Sequence, residues 1–151
     1  MGAAYDALSP PLQDMLGSLT ATHSGAHVFG RQSPHRERTA DRIGNPDAVR
    51  DDVSHPVVIA HPDTGRPMLY VNPGFTTKID GLTIQESRAL LGFLFEHCQR
   101  PEFQIRFEWA PGSLAMWDNR STWHFAVNDY HGHRRYLHRI TVAGSELAAA
   151  F

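Results

Sequence analysis

A strict two-residue alternation after residue 103 constrains this chain more than any other feature. Phe103, Ile105, Phe107 and Trp109 alternate with Gln104, Arg106 and Glu108. In a strand that spacing puts the four apolar side chains on one face and the polar ones on the other. Pro111-Gly112 then turns the chain. Residues 114–117 predict a short strand stopped by Asp118-Asn119, and residues 122–127 predict another. A polar loop over 128–133 precedes a last strand over 134–143. Upstream, residues 57–60 predict a buried strand, Pro62-Asp63-Thr64-Gly65 a turn, and residues 67–71 the returning strand of a hairpin. The fold class this implies is mainly β with flanking helices, a jelly-roll or sandwich with helical additions. Roughly six strands are in view, where a jelly roll uses about eight. A sheet short of strands leaves open edges, and edges attract partners.

Two helices are predicted. Ser9 suits an N-cap and Pro10 a first helical position, and Leu12, Met15, Leu16 and Leu19 recur at helical spacing. Thr83 and Glu86 form a capping box that opens the clearest helix, with Ile84, Leu91, Leu94, Phe95 and Cys98 on one face and Pro101 marking its end. Residues 24–54 are polar, rich in Arg and Asp and broken by Gly and Pro, and predict a long flexible loop or lid. Residues 145–151 predict a frayed tail.

A length of 151 residues suits a single domain. The 14 Lys and Arg nearly balance the 16 Asp and Glu, a formal charge of -2, so the basic excess of a nucleic-acid binder is missing. Cys98 is the only cysteine, which excludes an internal disulfide and a Cys-based metal site. No apolar run is long enough to span a membrane, and the first residues lack the pattern of a signal peptide. Together these point to a cytoplasmic protein.

On the last predicted strand Arg135, Leu137, Arg139 and Thr141 share a face. Two guanidinium groups there could each hold an anion through two parallel hydrogen bonds. The plain alternative is that this face meets water while Tyr136, His138, Ile140 and Val142 form the core side. In Trp117-Asp118-Asn119-Arg120-Ser121-Thr122-Trp123-His124, His124 is either a metal-ligating imidazole or a hydrogen-bonded structural histidine. His131 and His133, with His138 nearby, form an exposed His cluster without a carboxylate or thiol to complete a zinc site. His61-Pro62-Asp63 matches the string H-x-D, but it opens a Pro-Asp-Thr-Gly turn and reads as turn chemistry.

Three strings resemble the taurine dioxygenase / 2,4-dichlorophenoxyacetate dioxygenase (TauD/TfdA) family of Fe(II)- and 2-oxoglutarate-dependent oxygenases. They are HPVVIAHPDTGRPMLYVNPGFTTKIDG, ESRALLGFLFEHCQRPEFQIRFEWAPGSLAMWDNRSTWH and NDYHGHRRYLHRITVAG. The resemblance covers residues 55–144, and residues 4–23 more weakly. It implies a double-stranded β-helix, a jelly-roll variant, of which this chain would hold the C-terminal portion. It implies Fe(II), 2-oxoglutarate and O2, and hydroxylation of a small anionic substrate: a sulfonate, sulfate ester or carboxylate. Carried over residue by residue, His124 resembles the family's distal iron-ligating His. Arg135 resembles the Arg that binds the distal carboxylate of 2-oxoglutarate, and Arg139 the residue that pairs with the substrate anion. Trp117 to Arg120 resemble the family's support for the ligand strand. Asn72, Phe75, Thr76 and Thr77 resemble its N-x-x-F-T-T stretch.

The sequence departs from that pattern in two places. Family members are about twice as long, and their H-x-D iron pair lies upstream of the stretch that MGAAYDALSPP resembles. His61-Pro62-Asp63 aligns instead with the family's His-Pro-Glu-Thr-Gly turn, which leaves one of three iron ligands. Trp123 stands where a smaller or polar residue is usual. The readings in competition are therefore three. The first is an enzyme represented by its C-terminal half, inactive alone and partnered by an N-terminal half. The second is a non-catalytic remnant acting through its sheet edges as a binding or homo-oligomer module. The third is a His-rich metal binder of another class.

Overall fold

A computed structural model describes residues 1–29, 51–127 and 129–151. Two small antiparallel sheets form the centre, and helices pack against them. The first sheet has strand order β2-β1-β5, from β1 (Thr20–His23), β2 (Val53–Pro56) and β5 (Thr76–Ile79). The second pairs β3 (Val58–Ala60) with β4 (Pro67–Leu69), so that Val58 faces Leu69 and Ala60 faces Pro67. This is the expected hairpin. Its turn closes through Gly65 N–H to the His61 carbonyl at 2.7 Å, with Gly65 at φ +67°, a conformation open to glycine.

Helix α2 (Pro10–Gly17) begins at Ser9 with Pro at its start, as predicted. Only Leu16 of its stripe is fully buried, while Met15 is exposed. A short helix α1 (Gly2–Asp6), which the sequence pattern did not reveal, packs on β4. Helix α3 (Ala26–Phe29) follows β1. Helix α4 (Ile84–Cys98) carries the complete capping box: Thr83 Oγ1 accepts from Glu86 N–H and the Glu86 carboxylate accepts from Thr83 N–H. Leu91, Leu94 and Cys98 are buried on its inner face, whereas Ile84 at the N-terminus is exposed. His97 Nε2 donates to the Ala4 carbonyl at 2.7 Å and ties α4 to α1. Ser87 Oγ accepts from Ile79 N–H at 2.8 Å and ties α4 to β5. Leu16, Leu69, Ile79 and Leu94 are among the side chains that close the core. Each such burial is worth about 1.5–3 kcal/mol.

Three expectations are corrected. The strands predicted at 103–109, 114–117, 122–127 and 134–143 do not form among the described residues. Residues 101–103 make a 3-10 turn and the rest lies outside any ladder. Alternation makes a segment fit to be a strand, but a strand needs a hydrogen-bonding neighbour. No described strand pairs with these runs, and Ile105, Met116 and Ile140 are each more than 90% exposed (96%, 95% and 91%). The second correction concerns the tail. Ala60 N–H donates to the Ala148 carbonyl at 3.0 Å and Ala150 N–H to the Val58 carbonyl at 3.3 Å. Residue 149 thus bridges Ile59 in antiparallel fashion, on the edge of β3 that β4 leaves free. Third, the loop expected at 24–54 contains α3 and the start of β2. Residues 30–50 of that loop lie outside the described residues.

Candidate functional site

The turn before His124 is built by its own side chains. The Asp118 carboxylate accepts from Arg120 N–H at 2.8 Å, from Nε at 2.9 Å and from Nη2 at 2.8 Å. Those bonds from Arg120 hold the Asp118 carboxyl below its ordinary range. Trp117 Nε1 donates to Asn119 Oδ1 at 3.0 Å. Past the turn, Trp123 packs on the core with its ring 6.1 Å from that of Phe95 on α4. Its neighbour His124 is exposed and lies 5.0 Å from the Trp117 ring, centroid to centroid. Trp123 is thus an anchor, and the exposed His124 imidazole lies against the Trp117 ring.

Arg135 and Arg139 are also exposed. The Arg135 guanidinium stands over the Tyr130 ring at 5.4 Å, a cation–π contact. Among the described residues no hydrogen bond or ion pair joins His124, Arg135 and Arg139, and no group of three His, Cys, Asp or Glu stands ready for a metal ion. The structure therefore places all three side chains on accessible backbone without gathering them into one centre. His131, His133 and His138 are exposed as well. The ring of His138 lies edge-on to Tyr136 at 5.0 Å.

The H-x-D string takes part in local and tertiary contacts. Asp63 N–H donates to His61 Nδ1 at 3.3 Å, which leaves the proton of a neutral ring on Nε2. His61 Nε2 faces Asp118 Oδ2 at 3.5 Å.

The Asn72 to Thr77 stretch forms a compact turn. Asn72 Oδ1 accepts from Gly74 N–H at 3.0 Å and Phe75 N–H at 2.8 Å, and Thr76 Oγ1 accepts from Asn72 N–H at 2.9 Å. Thr77 Oγ1 donates to the Thr22 carbonyl at 3.2 Å. Beside this turn is a cleft of about 460 Å³ whose lining includes His23, His55, Tyr70, Asn72 and Phe75. His23 is 7% exposed, and its Nδ1 meets Thr76 Oγ1 at 3.3 Å. Burial above all, and the facing charge of His55, lower its pKa to about 4 against a small opposing pull from Asp80. Among the described residues His23 Nε2 is a buried polar atom without a partner. The sequence reading missed His23. The stretch Thr-Ala-Thr-His is too short to announce a strand, so nothing local marks the residue as buried.

Comparison with known proteins gives one consistent answer. The family profile described as "Taurine catabolism dioxygenase TauD, TfdA family" matches residues 1–141. The chain is 35% identical to an alkylsulfatase of Acinetobacter baylyi over 149 residues, covering 97% of this chain and 47% of the relative. It is 32% identical over 151 residues to an alpha-ketoglutarate-dependent sulfate ester dioxygenase of Pseudomonas putida, covering 94% and 48%. The chain thus spans about half the length of these curated relatives. The crystal structure of a taurine dioxygenase from Burkholderia xenovorans is similar at a TM-score of 0.56 and 36% identity, covering 72% of this chain and 32% of that one.

Proposed function

This chain belongs to the TauD/TfdA family of taurine catabolism dioxygenases, and we propose that it forms part of an Fe(II)- and 2-oxoglutarate-dependent dioxygenase acting on a small anionic substrate. The observation that carries the reading is the single run Trp117-Asp118-Asn119-Arg120, His124, Arg135, Arg139 inside the matched segment. Arg135 follows His124 by 135 − 124 = 11 residues, and Arg139 follows Arg135 by 139 − 135 = 4. In this reading His124 supplies one imidazole to the metal. Arg135 holds the distal carboxylate of 2-oxoglutarate, and Arg139 holds the sulfonate, sulfate ester or carboxylate of the substrate. Paired in extended backbone, the two arginines would share a face about 13 Å apart, far enough to hold two anions separately.

The described residues do not by themselves make an iron site. A facial triad needs two His and one carboxylate, and His124 stands without such neighbours. We propose, as the resemblance implies, that this chain holds the C-terminal portion of the domain and that residues beyond those described complete its metal site. The exposed, unladdered segment after residue 103 fits that role, because its alternating apolar residues can be buried when further strands pair with it. The same exposed runs also favour a second reading, a non-catalytic module that binds through its open edges. Titration of the redox-inert stand-in Mn(II) with 2-oxoglutarate separates the two. The assembly of this chain with an upstream segment carrying H-x-D is expected to bind both ligands, and Arg135→Ala to weaken 2-oxoglutarate. Binding absent from a folded assembly favours the non-catalytic module.

A further inference from the structure

His61, the 117–121 turn and the segment 145–150 are joined in one network, although they are far apart in the sequence. His61 follows directly on β3, and its Nε2 faces the Asp118 carboxylate at 3.5 Å. Both side chains are three-quarters buried. Asp118 is clamped from the other side by the Arg120 guanidinium. Arg120 in turn reaches Ser145 Oγ from Nη1 at 3.3 Å. Residues 148 and 150 then hydrogen-bond to Ala60 and Val58, on the strand that His61 follows. The loop of contacts closes on itself, from His61 through Asp118, Arg120, Ser145 and the 148–150 segment back to β3. The family match covers residues 1–141, so Ser145, Ala148 and Ala150 of this network lie outside the matched segment.

We infer that segment 145–150 and His61 act together as a strap that positions the turn carrying His124. His61 is then a positioning residue: it touches no substrate and acts through Asp118. The strap has a physical rationale. The runs after residue 103 lack a ladder to fix their course, so the 117–121 turn takes its place from individual contacts: those of the strap, and the bond from the Met1 ammonium to the Ser121 carbonyl at 2.9 Å. The functional meaning rests on His124 being a metal ligand, whereas the positioning itself does not.

The test is NMR of the isotopically labelled full chain, reading the cross-peak between the Trp117 and His124 rings and the tautomer of His61. His61→Ala and Ala150→Pro, which removes the N–H given to Val58, are expected to lose the cross-peak. The amide signals of α4 and the β2-β1-β5 sheet should stay in place. His61→Gln, whose amide nitrogen can still face the Asp118 carboxylate, is expected to retain it. Retention in both His61→Ala and Ala150→Pro would overturn the strap, as would failure of His61→Gln to rescue. If His61→Ala unfolds, Ala150→Pro decides, since Ala150 is only partly buried and lies in the terminal segment. Loss of the cross-peak in these variants, together with undiminished activity of His124→Ala in the assembled enzyme, would leave the strap standing and refute the proposed function.

Discussion

The rings of Trp117 and His124 lie 5.0 Å apart, tilted by 46°, on either side of a turn whose Asp118–Arg120 pair fixes its shape. His124 is exposed, so it is held by its contact with this ring and by the neighbouring Trp123 anchored on Phe95 rather than by burial, while the strap holds the turn that bears Trp117. His124→Ala is therefore expected to change the unfolding free energy of this chain by less than about 1 kcal/mol. In the assembled dioxygenase the same change is expected to abolish 2-oxoglutarate turnover. Urea unfolding beside an activity assay checks both, and a large loss of stability would make His124 a structural residue.

The two arginines should separate kinetically. On the proposed assignment, Arg135→Ala removes a charge-assisted fork worth about 1.5–3 kcal/mol, which is expected to read as roughly a 10- to 150-fold rise in the KM for 2-oxoglutarate. Arg139→Ala is expected to raise the KM for the anionic substrate by a similar factor and to leave that for 2-oxoglutarate unchanged. Steady-state assays with each ligand varied in turn decide the assignment, and exchanged effects would reverse it.

Acid should destabilise the fold through His23. Unfolded, its imidazole takes a proton near pH 6.5; folded, burial and the charge of His55 hold it off until about 4. Between those values the unfolded chain binds more protons, so stability falls as pH drops from 6.5 to 4, by about 3 kcal/mol for a shift of that size. Asp80 adds to this at lower pH. Burial opposes its charge, but hydrogen bonds from Ser54, Thr22 and Thr20 outweigh it and hold the carboxyl below its usual range. Its contribution is present above the unfolded carboxyl pKa and is lost as pH falls through the folded one. Unfolding curves across this window should flatten between pH 6.5 and 4 in His23→Gln, and an unchanged slope would remove His23 as the cause.

The core gives a prediction independent of function. Leu94 is fully buried between α4 and the sheets, and Leu94→Ala should cost about 2–5 kcal/mol, a large share of a small domain's stability. Neighbouring Cys98 is buried, and burial pushes its thiol up to about 11. A thiol reagent should react with it only as the chain unfolds, so rapid labelling of native protein would contradict the packing of α4.

What could be read from the sequence was what is local. The capping box of Thr83 and Glu86, the Ser9-Pro10 start of α2 and the turn from His61 to Gly65 are decided by residues within a few positions of one another. The strands β1 and β5 escaped notice because four residues each are too few for a period to show. The alternation after Phe103 was read correctly as a pattern, but a ladder depends on a neighbour that no local pattern supplies. Residues 148–150 carry no strand signal beyond small apolar side chains, and they pair because β3 offers them a free edge. At the site, residue types and spacing made His124, Arg135 and Arg139 candidates, and only the resemblance to the TauD/TfdA pattern gave each a specific role. The contact from His61 to Asp118 spans 57 positions (118 − 61) and is visible only in the fold.

Succinate release from 2-oxoglutarate, with Fe(II) loaded anaerobically and air then admitted, tests the central claim most directly. Four samples are compared: this chain alone, an upstream segment carrying H-x-D alone, the two together, and the two together with His124→Ala. Succinate from the intact pair and from none of the other three is the predicted result. Succinate from this chain alone would contradict the claim that further ligands complete the site. No succinate from a well-folded pair would contradict the assignment of dioxygenase activity itself.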